Sequence, residues 1–199
     1  MPTRGGLPVL AHAAQGCRGC GLWERATQTV FGEGPARARV VLVGEQPGND
    51  EDLQGAPFVG PAGRVLDEGL RAAGIVREDV YVTNAVKHFK WEPKGKRRLH
   101  KKPTQREIWA CRPWLDAELR AIKPKAVLCL GATAAQSLLG PAVRVTEQRG
   151  KPIDSPLAEV VMVTVHPSSL LRLPSDADRE KEHARFVEDL RALARSAGL

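Results

Sequence analysis

Four cysteines are spaced in a way that could bind a metal cofactor. Cys17 and Cys20 form one C-x-x-C pair, and Cys111 and Cys129 follow singly much further along the chain. Structural zinc sites usually use two tight cysteine pairs, whereas four thiolates also serve a [4Fe–4S] cluster. The spacing alone leaves iron and zinc open, and Cys129, which lies inside an apolar run, could instead be a small core residue.

Polar side chains also follow three apolar runs that are typical of buried parallel strands. Glu45 comes directly after the first run, Asn84 lies near the end of the second, and His166 follows the last. Each residue has an ordinary structural role open to it, since such residues cap helices, hold turns or bond backbone carbonyls. Ligands of an open α/β sheet bind at the carboxyl ends of its strands, so this common position favours a site.

The excess positive charge of the chain lies in one segment. The formal net charge is +7, and residues 87–102 hold six Lys, two Arg and one Glu, so the remaining residues are neutral overall. Pro93, Gly95 and Pro103 interrupt this segment, which predicts a loop. A concentrated basic patch is typical of proteins that bind a polyanion, and a solvated lysine-rich loop is the simpler alternative.

Apolar runs alternate with amphipathic stretches, which predicts a parallel sheet with helices on both faces. We therefore expect an α/β protein, a three-layer αβα sandwich around a four-stranded parallel sheet, folded as a single domain over residues 1–199. The strands are predicted at 38–44, 80–86, 126–131 and 160–165. The helices are predicted at 62–73, 104–122, 132–139 and from Ser175 onward.

Local signals refine these elements. Thr104 and Glu107 are spaced as a capping box, and Ser175 should cap the last helix. Pro113 should kink or split the helix that it lies in. Residues 144–146 are expected to pair as a short edge strand.

Several classes of protein are disfavoured. The chain lacks both G-x-x-x-x-G-K-[ST] and G-x-G-x-x-G after a strand, which argues against a nucleotide triphosphatase or an NAD enzyme. No apolar run approaches the roughly 18 residues of a membrane span. The apolar stretch at 7–13 is short and interrupted by Pro8, so we read no signal peptide and expect a cytoplasmic protein.

Four segments together resemble the uracil-DNA glycosylase superfamily, and its iron–sulfur branch, family 4, in particular. They are Gly44-Glu45-Gln46-Pro47-Gly48, Gly55-Ala56-Pro57-Phe58-Val59-Gly60-Pro61-Ala62-Gly63, Val82-Thr83-Asn84-Ala85 and His166-Pro167-Ser168-Ser169-Leu170-Leu171-Arg172. Gln46 stands where family 4 usually has Ala, and residues 94–100 are an insertion. Both departures are similar to the UdgX branch, whose members become covalently attached to uracil-containing DNA; its K-R-R-I-H pattern reads K-R-R-L-H here, with Leu99 in place of Ile.

The resemblance implies a base-excision reaction and a role for each site residue. His166 would donate a hydrogen bond to the departing uracil, Glu45 would stabilise the cationic sugar or orient a nucleophile, and His100 would be the point of attachment to DNA. The residues expected to bind uracil are Gln46, Asp52, Phe58 and Asn84. The residues expected to bind DNA phosphates are Lys94, Lys96, Arg97, Arg98, Ser168 and Arg172.

The resemblance also implies a cofactor and a partner. A [4Fe–4S] cluster would be held by Cys17, Cys20, Cys111 and Cys129, which makes the N-terminal part a cluster-binding segment. Residues 87–103 would be a basic loop insertion. We expect a monomer that acts on uracil-containing DNA, and an exposed trapping loop suits a single strand.

Two other functions remain open at this stage. An ordinary family 4 enzyme would turn over, releasing uracil and leaving an abasic site. A non-catalytic iron–sulfur module would bind DNA without a preference for uracil, although it would need neither Glu45 nor His166.

Overall fold

A central sheet and a separate hairpin contain all the strands in the part of the chain that the structure describes. The structure is a computed structural model, and it describes residue 2 and residues 5–198. The strands are β1 (Val40–Gly44), β2 (Val80–Asn84), β3 (Trp91–Lys94), β4 (Arg97–His100), β5 (Ala126–Leu130), β6 (Pro152–Ile153) and β7 (Val160–Thr164).

The central sheet has five strands in the order β2-β1-β5-β7-β6. The first four run parallel to their neighbours and are buried throughout, as the apolar runs predict. The prediction of four strands is wrong by one, because β6 adds an antiparallel edge that pairs Pro152 with Met162 and Ile153 with Val161. Proline has no N–H to donate, which restricts such a strand to an edge.

Helices cover both faces of this sheet. They are α1 (Leu7–Ala14), α2 (Asn49–Gln54), α3 (Pro61–Ala72), α4 (Gln105–Ile122), α5 (Ala132–Leu139), α6 (Val145–Gln148), α7 (Pro167–Leu170) and α8 (Asp176–Ala197). The predicted caps are confirmed, since Thr104 Oγ1 accepts from the Glu107 N–H and Ser175 Oγ accepts from the Asp178 N–H.

One local prediction is wrong. Residues 144–146 form no strand; they enter α6, whose first turn is held by the Arg144 N–H donating to Gln148 Oε1 at 2.8 Å. Pro113 does not split α4, which is one helix from Gln105 to Ile122. Pro113 lies on the exposed side of α4, where water can bind the carbonyl that its ring leaves unpaired, while the other side is packed.

Two apolar cores make the protein a three-layer αβα sandwich, as predicted. One core packs α3 and α8 on the sheet through Leu66, Phe186 and Leu190. The other packs α4 and α5 on the opposite face through Leu115 and Leu138. A third cluster packs α1 against α4 and includes Leu10, Ala14, Cys111 and Trp114. Among the described residues, no helix is long and apolar enough to span a membrane.

The basic segment is a hairpin rather than the predicted loop. Strands β3 and β4 pair antiparallel from Trp91–His100 to Lys94–Arg97, which leaves a two-residue turn at Gly95 and Lys96. Gly95 has φ 59°, a conformation that tight hairpin turns require at this position and that glycine adopts without strain. Pro93 fits because a two-stranded ribbon consists of edge strands.

Candidate active site

The predicted residues meet at the carboxyl edge of the sheet. Gly44 ends β1 beside Asn84 of β2, and the Asn84 amide and the Phe58 ring both pack against it. A Cβ added to Gly44 would lie 2.6 Å from Phe58 Cζ, so only glycine allows this approach. The Phe58 and His166 rings stack with centroids 5.9 Å apart. The edge thus brings together an amide and two flat rings.

Asn84 presents an unused acceptor to this edge. Its side chain is 3% exposed, and among the described residues its buried Oδ1 has no hydrogen-bond partner. A buried amide oxygen without a partner is costly, which makes it a good acceptor for a ligand N–H. Lys87 donates to the Asn84 carbonyl at 2.8 Å and to Glu118 Oε2 at 2.5 Å, which fixes the end of β2.

Phe58 lies in a loop that is supported by Glu51, a residue that the sequence analysis did not single out. Its φ is 57°, a left-handed conformation that is uncommon for an aromatic residue and costs energy. Glu51 supports the surrounding loops, because its carboxylate accepts from the Gly48 N–H at 2.9 Å and from the Gly60 N–H at 2.8 Å. Glu51 lies in an acidic run that reads as exposed, so the sequence offered no signal for this bridge.

His166 is arranged as a neutral donor. Its Nδ1 accepts from the Ser168 N–H at 3.2 Å, so the ring proton lies on Nε2. Burial, together with the nearby Arg172 and His100, lowers the pKa of His166 to about 4. His166 therefore stays neutral near pH 7 and can donate through Nε2. Ser168 and Arg172, predicted to bind phosphate, support this arrangement: Arg172 donates to Ser168 Oγ at 3.3 Å.

Glu45 lies between a hydroxyl and the hairpin. The Thr133 hydroxyl donates to its Oε2, while its Oε1 is 3.8 Å from His100 Nε2. Thr133 follows β5, so the strand-end rule that indicated Glu45, Asn84 and His166 would also have found it.

His100 ends the hairpin and faces the same site. Gln46 Nε2 lies 2.8 Å from His100 Nε2, and because the amide nitrogen only donates, the ring nitrogen accepts. Gln46 also accepts from the Lys90 N–H and donates to the Lys101 carbonyl, so its side chain bridges the two ends of the hairpin. Burial lowers the pKa of His100, and Arg172 adds to this, while Glu45 opposes it. His100 Nε2 thus accepts from Gln46 and lies 3.8 Å from Glu45 Oε1.

Asp52, predicted to bind uracil, and Arg98, predicted to bind phosphate, form an ion pair with each other. Asp52 is fully buried, and its carboxylate accepts from the Thr27 N–H and hydroxyl and from Arg98 Nη1 at 2.5 Å. Arg98 also donates to Asn49 Oδ1 at 2.8 Å. The pair therefore anchors the hairpin to α2. The exposed cations of the hairpin are Lys94, Lys96 and Arg97.

Three of the four cysteines are close together. Burial raises the pKa of Cys111 to about 12; Lys87 opposes this shift, and the nearby Cys20 and Cys17 thiols add to it. The pKa of Cys129 is raised to about 12 by burial, with Arg112 opposing and no contribution from another thiol. Cys111 thus lies near Cys17 and Cys20 in one cluster, while Cys129 lies in a different core. Among the described residues, no three His, Cys, Asp or Glu side chains are placed to hold a single metal ion.

The fold and the edge together define a class of protein. A parallel sheet that gathers an amide, a carboxylate and two imidazoles at one edge is typical of an α/β enzyme. The cationic hairpin beside that edge suits a substrate that carries phosphates.

Comparison with known families makes the assignment specific. Residues 31–191 match the Uracil DNA glycosylase superfamily, and the chain belongs to that superfamily. It is 41% identical over 186 residues to a type-4 uracil-DNA glycosylase of Thermotoga maritima, covering 92% of this chain and 91% of the relative. It is 35% identical over 188 residues to a type-4 enzyme of Pyrobaculum aerophilum, covering 90% and 92%. A type-4 enzyme of Archaeoglobus fulgidus is 46% identical over 130 residues, covering 65% and 62%.

Proposed function

We propose that the protein is a uracil-DNA glycosylase. The observation that carries this proposal is the buried, unpartnered Oδ1 of Asn84 beside the Phe58 ring. Uracil supplies the matching groups, since its N3–H can donate to Oδ1 and its O4 can accept from the amide nitrogen. Membership of the superfamily and the names of the type-4 relatives support the same activity.

Excision requires the base to leave the stack before its glycosidic bond can be reached. The C1′–N1 bond breaks, its electron pair leaves with uracil, and a cationic sugar remains. The Nε2–H of His166 stabilises the negative charge that develops on a uracil oxygen, and Glu45 stabilises the sugar cation. Uracil then takes a proton from water.

His100 is the nucleophile that captures the sugar in this proposal, as the resemblance to the UdgX branch implies. Its Nε2 lies 3.8 Å from Glu45 Oε1, so it stands beside the group that would hold the cation. The Nε2 lone pair, released from the Gln46 N–H, forms a C1′–Nε2 bond, and the resulting imidazolium loses its Nδ1 proton to solvent. Unless a second nucleophile releases the sugar, the enzyme is consumed.

The proposal includes a [4Fe–4S] cluster in the N-terminal region, with Cys17, Cys20 and Cys111 among its ligands. Such a cluster would tie the N-terminal segment to α4, a structural role that needs no redox step. The partner is uracil-containing DNA, with Lys94, Lys96 and Arg97 contacting its phosphates. The protein acts as a monomer, and its exposed capture hairpin suits single-stranded DNA.

Covalent capture is tested on a denaturing gel. The purified protein is mixed with a labelled single-stranded oligonucleotide that holds one uracil, boiled in detergent and run beside a thymine control. We expect a shifted band that survives boiling and requires uracil. His100→Ser should abolish the band and restore release of free uracil, because water replaces the imidazole.

The other outcomes separate the remaining functions. Strand cleavage after hot alkali without a shifted band would mean ordinary turnover, and His100 would then be a DNA contact. Binding to uracil and thymine strands alike, with neither band nor cleavage, would favour a non-catalytic DNA-binding module. A His100→Ser variant that still cross-links would move the attachment to another residue.

A further inference from the structure

The four cysteines do not share one environment. Cys111 lies in the cluster between α1 and α4, and Cys17 and Cys20 pack against the same cluster. Cys129 is fully buried in the core between the sheet and α4 and α5, where it sits in register with Val43 and Val163. A ligand set taken from the cysteines alone would have to join two separate cores.

A buried imidazole adjoins the two segments that carry these three cysteines. His88 is 5% exposed and follows Lys87, whose backbone N–H donates to Cys111 Sγ at 3.2 Å. On its other side, His88 Nε2 lies 2.9 Å from Thr29 Oγ1, which donates to the Ala14 carbonyl. That same carbonyl accepts from the Cys17 N–H at 2.9 Å. His88 is therefore linked to the Cys17 segment through Thr29 and Ala14, and to Cys111 through its chain neighbour Lys87.

The hydrogen bonds also fix which ring nitrogen is available. The Thr29 hydroxyl donates its one proton to the Ala14 carbonyl, so its oxygen must accept the hydrogen bond from His88. The ring proton of His88 therefore lies on Nε2. Nδ1 then bears the lone pair. Metal-binding histidines typically donate their other ring N–H to a fixed acceptor in this way, which orients the ring and sets its tautomer.

We propose that His88 Nδ1, with the sulfur atoms of Cys17, Cys20 and Cys111, holds the [4Fe–4S] cluster, and that Cys129 is a core residue. This inference rests on the cluster of the proposed function. The ligands of such a cluster stand further apart than those of one ion, because each binds a different iron. A neutral imidazole in place of a thiolate makes the cluster less negative and raises its reduction potential.

The first test needs no substitution. The whole protein is purified without air, its iron and sulfide are counted, and the cluster is brought to a paramagnetic state for pulsed electron-nuclear double resonance. Labelling with ¹⁵N-histidine should replace a ¹⁴N coupling to the cluster by a ¹⁵N coupling. A cluster with full iron content and no histidine nitrogen coupling would overturn the proposal.

A set of variants then assigns the residue. Cys129→Ala should keep the full iron content and visible absorbance. His88→Ala should lose iron, His88→Cys should retain the cluster without the nitrogen coupling and with a lower potential, and Thr29→Val should weaken the coupling. Loss of iron in Cys129→Ala, with iron retained in His88→Ala, would show that the ligand set is the four cysteines.

Uracil excision is measured on the same samples, which separates the two proposals. Wild-type protein that excises uracil but contains no iron would overturn the ligand set and leave the glycosylase intact. Wild-type protein with the nitrogen coupling but no excision would do the reverse.

Discussion

Two histidines at the site are held in opposite tautomers, and their neighbours decide which. Nδ1 of His166 accepts from the Ser168 N–H, so Nε2 is the donor. Nε2 of His100 faces the amide nitrogen of Gln46, so it is the acceptor. A donor suits a departing uracil oxygen and an acceptor suits attack on a cation. One residue type thus serves two chemical roles in the proposed reaction.

Replacing Asn84 by an apolar residue should preserve or raise the stability of the fold and lower the activity. Asn84→Leu removes a buried, unpaired acceptor whose burial costs about 1–3 kcal/mol, so its free energy of unfolding should equal or exceed that of the wild type. Uracil excision should fall by at least about 10²-fold, because the base loses its partner. Urea denaturation and single-turnover excision assays measure the two effects. Gln54→Leu, at an exposed amide residue of α2, is the control, and an Asn84→Leu variant that is destabilised and fully active would contradict the assignment.

His166 should make the fold sensitive to acid. Its pKa is about 4 in the folded protein and near 6.5 when unfolded, so the unfolded chain binds one more proton between these values. The free energy of unfolding should therefore fall as the pH drops from about 6.5 to 4, by up to about 1.4 kcal/mol per pH unit from this residue.

His166→Asn removes that contribution, so its stability should decline less steeply over the same range. Denaturant unfolding at several pH values compares the two slopes, with His12→Asn at an exposed position of α1 as the control. Equal slopes for wild type and His166→Asn would show that the ring titrates alike in both states.

At the scale of elements, the hairpin can hold His100 beside Glu45 only if the hairpin is fixed against the rest of the protein. Gln46 clasps its base, while Arg98 of β4 reaches Asp52 and Asn49 of α2 and lies over the Phe89 ring at 5.4 Å. Together these contacts determine where His100, the last residue of β4, stands relative to Glu45.

Arg98→Ala should uncouple capture from excision. It leaves Asp52 buried with only Thr27 as its partner, which should cost about 3 kcal/mol and loosen β3 and β4. The cross-linking rate should drop more than the excision rate, and the amides of residues 91–100 should exchange faster with solvent. Arg97→Ala, one residue away and exposed, should leave exchange unchanged. Exchange as slow in Arg98→Ala as in wild type would refute the anchoring role.

The sequence predicts secondary-structure elements and strand ends better than it predicts which side chains contact each other. Buried parallel strands are continuous apolar runs, so Glu45, Asn84 and His166 could be placed at one edge in advance. The hairpin was missed because Pro93, Gly95 and its many charges are equally typical of a loop. The pairing of Asp52 with Arg98 could not be predicted because the two residues are distant in sequence and only the fold brings them together. Such long-range pairing leaves no local pattern.

At the scale of the whole molecule, the basic segment is less cationic than its composition suggests. Four of its eight cations form ion pairs: Lys87 with Glu118, Lys90 with Glu107, Arg98 with Asp52 and Lys101 with Glu92. The other four have no ion pair with the residues that the structure describes. Three of these, Lys94, Lys96 and Arg97, lie together at the end of the hairpin, so the polyanion surface is a small patch rather than the whole segment.

This distribution predicts how DNA binding depends on salt. Each phosphate contact releases condensed counterions, and the slope of log K against log salt is about −0.7 per contact for a single strand. Changing Lys94, Lys96 and Arg97 together to Ala should make the slope less steep by about 2, with uracil and thymine strands weakened alike. Changing Lys90 and Lys101 to Ala should alter it much less, because both are already paired within the protein. Fluorescence anisotropy at several salt concentrations, with the His100→Ser background used to prevent capture, measures both slopes. A larger effect from the paired lysines would mean that the DNA opens those ion pairs and that the binding surface extends along the full hairpin.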